Sequence, residues 1–586
     1  MNIVLATLNA KYIHTNLAIR YLKAYAQPDF NPVLAEYTIK DPTFNIVSDL
    51  YRKSPDIIGF SCYIWNIEET IKVIQMVKKV SPHTKIVLGG PEVSYDVHVW
   101  LKRLKEDVDC IIMGEGEHSF KQLLHYYHGN IPLSEVPGIA YLKEEKVEIH
   151  QAAQKVDLRE MPSPYRFEED LPHLSKRIAY IETSRGCPFN CQFCLSSIEV
   201  GVRYFNREKI KEDIRYLMNN GVRTIKFVDR TFNISRSYAM EMFQFLIDEH
   251  QEGVVFQFEI TADIMRPEVI QFLNDNAPKG LFRFEIGVQS TNDLTNDLVK
   301  RRQNFSKLTR TVTMVKEGGK IDQHLDLIAG LPEEDYHSFR QTFNDVFALR
   351  PEELQLGFLK LLRGTGLRLQ AKQYGYDYVD VAPYEIVANN VLSFDDMLRI
   401  KQTEDILEKY WNDHRIDYTI DYLVSSVFET PFDFFQEFGT YWDNQGWSRI
   451  GHQLEDLFLR LIAFLEQRGD VNMNIIVSLL QLDYLKAQRF QPRKPWWKNQ
   501  LPEIKSKDIL KEIRLHPEMA GSAFTQFNVG EKELYKHTLL LPFYIDLDLL
   551  NNNNEVKECN GYLMTYFRKD GAPYFAFIRE EQMAYS

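Results

Sequence analysis

Twice along the chain, short apolar runs alternate with amphipathic stretches, and this alternation limits the fold more than any other feature. Over residues 1–130, "NIVLATL" is followed by "TNLAIRYLKAYA", then "PVLAEYTI", "DIIGFSCYIW", "NIEETIKVIQMVKKV", "KIVLGGPEVS" and "DCIIMGEGE". Buried strands alternating with helices predict a parallel sheet covered on both faces, an α/β, Rossmann-like (flavodoxin-like) domain. Glycines and acids stand where the strands end, at Gly89-Gly90 and at Gly114-Glu115-Gly116-Glu117. In open parallel sheets the ligand crevice lies at the carboxyl ends of the strands. Each glycine pair also reads simply as a tight turn, but Gly-rich turns ending two neighbouring strands point to a binding edge.

Residues 131–176 carry Pro132, Pro137, Pro162, Pro164 and Pro172 among mixed charges, and read as a linker with one hairpin, "GIAYLKEEKVEIH". A second series then begins, with strands "RIAYIET", "TIKFVD", "VVFQFEI", "LFRFEIGVQ", "HLDLIAGLP" and "ELQLGFLK". Six strand–helix units do not close an eight-stranded barrel, so 177–365 is expected to form a partial (β/α)6 barrel. From 366 to 586 the pattern changes to a mainly helical extension. Its expected long helices include "YEIVANNVLSFDDMLRIKQTEDILEKYWNDH" and "QLEDLFLRLIAFLEQRG". Some β-hairpins are expected as well, one turning at Asp570-Gly571, and "NNNNE" at Asn551–Glu555 reads as a loop.

A chain of 586 residues is too long for a single core. No apolar run approaches the roughly 20 residues that span a bilayer, and the start "MNIVLATLNAKYIH" lacks a basic region and long apolar stretch. A cytoplasmic, reducing setting is therefore expected, in which clustered thiols are metal ligands or redox groups rather than disulfides. A net charge of −13 excludes general electrostatic attraction to nucleic acid and leaves only local patches for that role.

Three of the six cysteines fall within eight residues of "SRGCPFNCQFC": Cys187, Cys191 and Cys194. A structural zinc site would want a fourth Cys or His at matched spacing, which the neighbouring sequence does not supply. A redox pair of Cys191 and Cys194 would leave Cys187 without a role. Three thiolates on an iron–sulfur cluster leave one iron open to a substrate or cofactor, and the glycine before Cys187 and the proline after it suit a tight loop around such a cluster.

Cys-x3-Cys-x-Phe-Cys after the first strand of a six-unit partial barrel resembles the radical S-adenosylmethionine (SAM) superfamily. The flanking "ETSRGCPFNCQFC" is similar to its subclass with an amino-terminal cobalamin-binding domain, a likeness that spans about residues 1–365. The resemblance implies a [4Fe–4S] cluster on Cys187, Cys191 and Cys194 whose open iron chelates SAM. One electron, from a low-potential flavodoxin or ferredoxin, would cleave SAM to methionine and a 5′-deoxyadenosyl radical. It also implies SAM contacts at Phe193, at Asp229 in "FVDRTFN", and at Gln289 and Ser290 after Glu285 and Gly287. Ile328, Gly330 and Glu333 in "LDLIAGLPE" match the adenine element, with Asp326 in place of its first glycine. Phe193 reads equally as loop packing, and the strand-end acids as caps.

For cobalamin, the resemblance implies a groove lined by Ser61, Gly89, Gly90, Gly114 and Glu115. The Asp-x-His-x-x-Gly signature of an axial histidine is absent: "YIHTNL" keeps His14 but has Tyr12 and Leu17 in place of Asp and Gly. With no Asp to orient the imidazole, His14 reads as a helix-start residue. The implied enzyme is a cobalamin-dependent methyltransferase acting on an unactivated carbon of a small molecule, and no catalytic side chain is assigned. Ring formation, rearrangement or RNA modification are enzymatic alternatives, and a cobalamin- or SAM-sensing protein is a non-enzymatic one. The RNA reading rests on Arg489–Arg514, where Arg493, Lys494, Trp496 and Trp497 interleave bases and aromatics. Its plainer counterpart is an exposed linker whose tryptophans cover the core.

Overall fold

Strands β1 (Ile3–Asn9), β2 (Val33–Thr38), β3 (Ile57–Ser61), β4 (Lys85–Gly89) and β5 (Cys110–Ile112) form a parallel sheet in the order β2-β1-β3-β4-β5. Successive side chains leave opposite faces of the sheet. Ile3, Leu5, Ile57 and Val87 pack with Ile19 and Phe120 in one apolar cluster, while Val4, Ala6, Ile58 and Phe60 pack with Ile71, Ile74 and Trp100 in another. Both faces are therefore covered by helices. In this computed structural model residues 1–198, 201–498, 501–569 and 571–583 are described. The chain divides into two units, Met1–Met397 and Leu398–Ser586.

The hairpin expected in the linker forms as β6 (Ile139–Lys143) and β7 (Lys146–Ile149), but it is not free-standing. It adds antiparallel to β5 and extends the first sheet to seven strands. The rest of the segment packs against both domains of the unit. Asp170 takes two hydrogen bonds from Arg20, which is 2% exposed, and the Tyr165 hydroxyl donates to the Tyr180 carbonyl (2.6 Å).

Strands β8 (Ala179–Ile181), β9 (Thr224–Phe227), β10 (Val255–Ile260), β11 (Phe282–Gln289), β12 (Asp322–Ala329) and β13 (Glu353–Phe358) pair in parallel and in sequence order, with β8 and β13 at the two edges. This is the open (β/α)6 barrel that the pattern predicts. One face is apolar, with Phe227, Phe256, Phe258, Phe282 and Phe284 all buried. The other carries Lys226, Gln257, Glu259, Arg283, Glu285, His324, Asp326 and Glu353, matched across strands by register.

Residues 366–397 belong to the first unit. The long helix expected from Tyr384 onward starts only at Phe394. Before it, Ile386–Ala388 pairs with Asp377–Tyr378, and Asn389 Oδ1 turns the chain by accepting from Val391 and Leu392 N–H (2.9 and 2.8 Å). In the second unit, helix Leu454–Arg468 has a Gln453/Asp456 capping box and Gly469 as its left-handed cap. Strands β14 (Thr538–Ile545), β15 (Glu558–Tyr566) and β16 (Tyr574–Arg579) form an antiparallel sheet in that order. Asp570, half of the expected β15–β16 turn, lies outside the described residues. The asparagine tract is a loop only in its second half: Asn551–Asn553 close the helix Leu547–Asn553, capped by Asp546 at its start and by left-handed Asn554 at its end, and Asn554 and Glu555 lie beyond it.

Candidate functional site

A cavity of about 720 Å³ lies at the carboxyl edge of the first sheet. Its wall includes Asn9 at the end of β1, Ser61 at the end of β3, Gly89-Gly90 after β4, and Gly114 and Glu115 after β5. All five residues expected at a cobalamin groove are thus brought to one space. The same cavity reaches the barrel, where Tyr180, Glu182, Ser184, Arg185, Gly186, Leu195, Ser196, Arg230 and Glu259 line it. Gly90 has φ +105°, and a Cβ there would meet the Cys62 carbonyl oxygen at 2.5 Å. Only glycine keeps this turn close to β3.

Several lining residues were not singled out by sequence reasoning. Tyr63 and Trp65 stack face to face, ring centroids 4.3 Å apart, and Trp65 is 49% exposed at the cavity wall. Arg185 joins Glu182 (2.9 Å) and Glu117 (3.0 Å), and Arg203 pairs with Glu115. Burial raises the Glu115 pKa against the lowering pull of these arginines. Oε2 of Glu115 and of Glu117 are buried without a hydrogen-bond donor. Glu115 and Glu117 were marked by the strand-end glycines beside them, but their arginine partners emerge only when the sheet edge meets the barrel, so no local pattern marks those.

His14 is not at the helix start. Asn16 is the N-cap of helix Leu17–Ala26, accepting from Ile19 N–H, while His14 bridges to Ile178 and its Nδ1 lies 2.7 Å from the Tyr180 hydroxyl. Burial, then Lys11 and Lys226, lower its pKa, which favours the neutral imidazole at the cavity wall.

The cysteine loop follows β8. Gly186 has φ +99°, and a side chain there would collide with the Gly201 carbonyl. Cys187 and Cys191 are buried and Cys194 is half-buried. Burial raises the thiol pKa of Cys187 and Cys191, and neighbouring thiolates of the same loop add to it, while Arg301 lowers that of Cys191. Among the described residues, no group of three or more His, Cys, Asp or Glu, the three cysteines included, is gathered closely enough to hold a single metal ion. Phe193 is half-buried on the loop and does not line the cavity.

Asp229 is 1% exposed and turned away from the open space. It accepts from Thr183 N–H (3.0 Å), Thr183 Oγ1 (2.7 Å) and Ser184 Oγ (2.5 Å), and burial pushes its pKa up to about 6. It clamps the chain entering the cysteine loop, and its neighbour Arg230 is the strand-end group that lines the cavity. Ser290 is likewise inward, donating to Glu334 Oε1 (2.5 Å). Gln289, at a bulge of β11 with φ +71°, has a buried Oε1 without a donor. Ile328 is half-buried on the polar face of the barrel. Gly330 follows β12 and its carbonyl accepts from the Tyr376 hydroxyl (2.9 Å). Asp326, replacing the glycine of that element, lies 3.0 Å from His324, and Glu285 binds Lys226 through both oxygens at 2.7 Å.

Trp496 and Trp497 are buried, Trp496 stacked on Phe458 and Trp497 edge-on to Tyr484. They are core residues, and the RNA reading loses its stacking faces. Asn499 and Gln500 of that segment lie outside the described residues. No described helix is long and apolar enough to cross a membrane.

Comparison with known proteins assigns each region. The B12 binding domain family matches residues 3–124, the radical SAM superfamily residues 181–346, and the protein family of unknown function DUF4080 residues 372–564. An uncharacterised methyltransferase of Pyrococcus horikoshii is 28% identical over 39% of this chain and 51% of its own length. The cobalamin-dependent radical SAM methyltransferase TokK of Streptomyces tokunonensis is 26% identical over 62% of this chain and 56% of its own. The chain therefore spans about half the length of the curated relatives it matches. The solved structure of the cobalamin-dependent SAM radical enzyme OxsB with aqua-cobalamin bound is 16% identical, with a TM-score of 0.56 over 88% of this chain and 75% of that one, a likeness of fold. Sheet, barrel and cysteine loop agree with these matches: the chain carries a B12-binding domain, a radical SAM domain behind it and a DUF4080 region after that.

Proposed function

We propose that the chain is a cobalamin-dependent radical SAM methyltransferase acting on an unactivated carbon of a small molecule. The observation that carries this reading is the single cavity running from the carboxyl edge of the first sheet to the cysteine loop, lined on one side by Ser61 and Gly89-Gly90 and on the other by Gly186, Leu195 and Ser196. Its donor set fits the cofactors. Oε2 of Glu115 and of Glu117, each buried without a hydrogen-bond donor, suits the side-chain amides of cobalamin, and the open space beside Gly114 admits a bulky ligand. Cys187, Cys191 and Cys194 would hold a [4Fe–4S] cluster, with Gln289 Oε1 free to accept from SAM at the barrel rim.

When bound, these groups supply one-electron cleavage of SAM and a transferable methyl group. The chain's own residues do the rest. Asp229 fixes the entry to the cysteine loop, and Gln192 N–H donates to the Val299 carbonyl (2.9 Å) beyond it. Tyr63, Trp65 and Tyr180 wall the space between the sheet and the barrel and reduce its access to water. The naming of matched relatives as methyltransferases supports the reaction type. A low-potential flavodoxin or ferredoxin is the implied electron donor.

The test is anaerobic reconstitution with iron and sulfide, followed by dithionite and SAM. Release of 5′-deoxyadenosine is expected, and Cys191→Ala should abolish both that release and the cluster absorbance. Silence of the wild-type chain would favour the sensing alternative, and zinc in place of iron and sulfide would overturn the cluster assignment. Metabolites accumulating in a deletion strain would name the substrate.

A further inference from the structure

One short segment, 361–370, ties the cavity edge to the cysteine loop. Near its start Arg363, 9% exposed, donates from Nε to the Tyr384 hydroxyl (2.8 Å) and to Glu92 Oε1 (3.2 Å), and from Nη1 to Asp96 Oδ2 (2.6 Å). The Tyr384 hydroxyl donates to the same Glu92 oxygen. The guanidinium lies over the rings of Trp100 and Tyr384, at 5.1 and 5.0 Å from their centroids. Glu92 and Asp96 belong to the stretch that directly follows Gly89-Gly90, and Tyr95 between them lines the cavity and lies against Gly364.

The far end of the segment grips the other site. Leu367 N–H donates to the Gln192 carbonyl (2.9 Å), and Gln370 Nε2 donates to Gln192 Oε1 (3.2 Å). Gln192 stands between Cys191 and Phe193. The eight residues from Arg363 to Gln370 therefore hydrogen-bond both the turn at the cobalamin edge and the loop that bears the cluster ligands.

A guanidinium buried between two carboxylates and a phenol is a poor source of net stability, because desolvating the charges offsets their attraction. What such a network fixes is register: the planar fork of Arg meets its acceptors in one geometry, and the network holds only when every member is in place. A shift of the Gly89-Gly90 turn on ligand entry would move Glu92 and Asp96, and with them Arg363 and the backbone that holds Gln192.

We propose that Arg363 is a positioning residue, and that the strap it anchors couples the two cofactor sites, so that filling one changes the affinity of the other. This inference rests on the functional reading above. Coupling between sites is reciprocal and changes affinity by about fivefold or more when it is substantial.

The experiment uses the full-length, reconstituted protein and measures SAM dissociation constants by equilibrium dialysis, with and without saturating hydroxocobalamin. The wild-type ratio is expected to differ from one by about fivefold or more. Arg363→Met should bring that ratio towards one while leaving SAM affinity without cobalamin close to wild type. Gln370→Ala, which removes from a half-buried side chain the bond to Gln192 Oε1 and one to the Gly366 carbonyl, should lower the ratio in the same direction and stands in should Arg363→Met not fold. A merely structural role would weaken both ligands and leave the ratio intact. The inference is overturned by a wild-type ratio of one, or by wild-type coupling in both variants. If the wild type bound neither ligand, the functional reading would fail and this inference with it; binding of both without coupling would overturn the inference alone.

Discussion

A methyl group at position 90 would stand 2.5 Å from the Cys62 carbonyl oxygen, on a backbone held at φ +105°. Gly90→Ala is therefore expected to cost about 1–3 kcal/mol in stability and to weaken hydroxocobalamin binding, read by absorbance titration. Unchanged affinity in a folded variant would detach the turn from the ligand site. Gly90 was legible in the sequence because turn chemistry is local, and so were the three cysteines because their spacing is. Asp229 was not. Its position after β9 was readable, but its orientation depends on Thr183 and Ser184, which lie 46 and 45 residues away. Arg230, one residue on in the turn after that strand, lines the cavity and gave no signal of its own.

The strand-end clamp makes a prediction of its own at the scale of elements. Asp229→Ala would strand the Thr183 N–H and the hydroxyls of Thr183 and Ser184 without their acceptor, a loss of about 3 kcal/mol if all three stay buried. Iron and sulfide per reconstituted chain should fall as the entry to the cysteine loop slackens, and full incorporation would refute the clamp. The barrel strands were recognisable as elements, but strict alternation such as "FRFEIGVQ" is unusual for a parallel sheet, whose strands are commonly apolar on both faces. Here the barrel is open and its inner face carries ion pairs, such as Lys226–Glu285 and His324–Asp326, so one face reads as polar. The elements that were misread, the first half of the asparagine tract and the start of the helix at Phe394, were decided by caps: Asp546 with Asn554, and Ser393 with Asp396, whose side chains and backbone N–H groups bond reciprocally. The Ser393-x-x-Asp396 pattern was there to be read in the sequence, whereas the left-handed cap at Asn554 shows only once the flanking backbone is placed.

For the molecule as a whole, Glu334 predicts how stability varies with pH. Burial raises its pKa from 4.5 to about 7, against the lowering effect of bonds from Ser290 and Thr342. The folded chain thus keeps this proton where the unfolded chain has lost it, and the stability it contributes is complete below pH 4.5 and lost as pH rises towards about 7. A thermal-unfolding series should show wild type losing stability relative to Glu334→Gln across that window, by an amount on the order of 3 kcal/mol. Parallel curves would remove the assignment. The two α/β layers of the first unit were legible at this scale because strand–helix periodicity repeats over hundreds of residues. The seam between them was not, since pairs such as Arg185–Glu117 and Arg363–Glu92 join residues 68 and 271 apart. The alternation within the barrel has a further consequence. Its phenylalanine layer and its charged layer occupy separate positions on the same strands, so divergence among descendants can rewrite the inner lining, and with it the molecules admitted, while the scaffold that carries it is inherited unchanged.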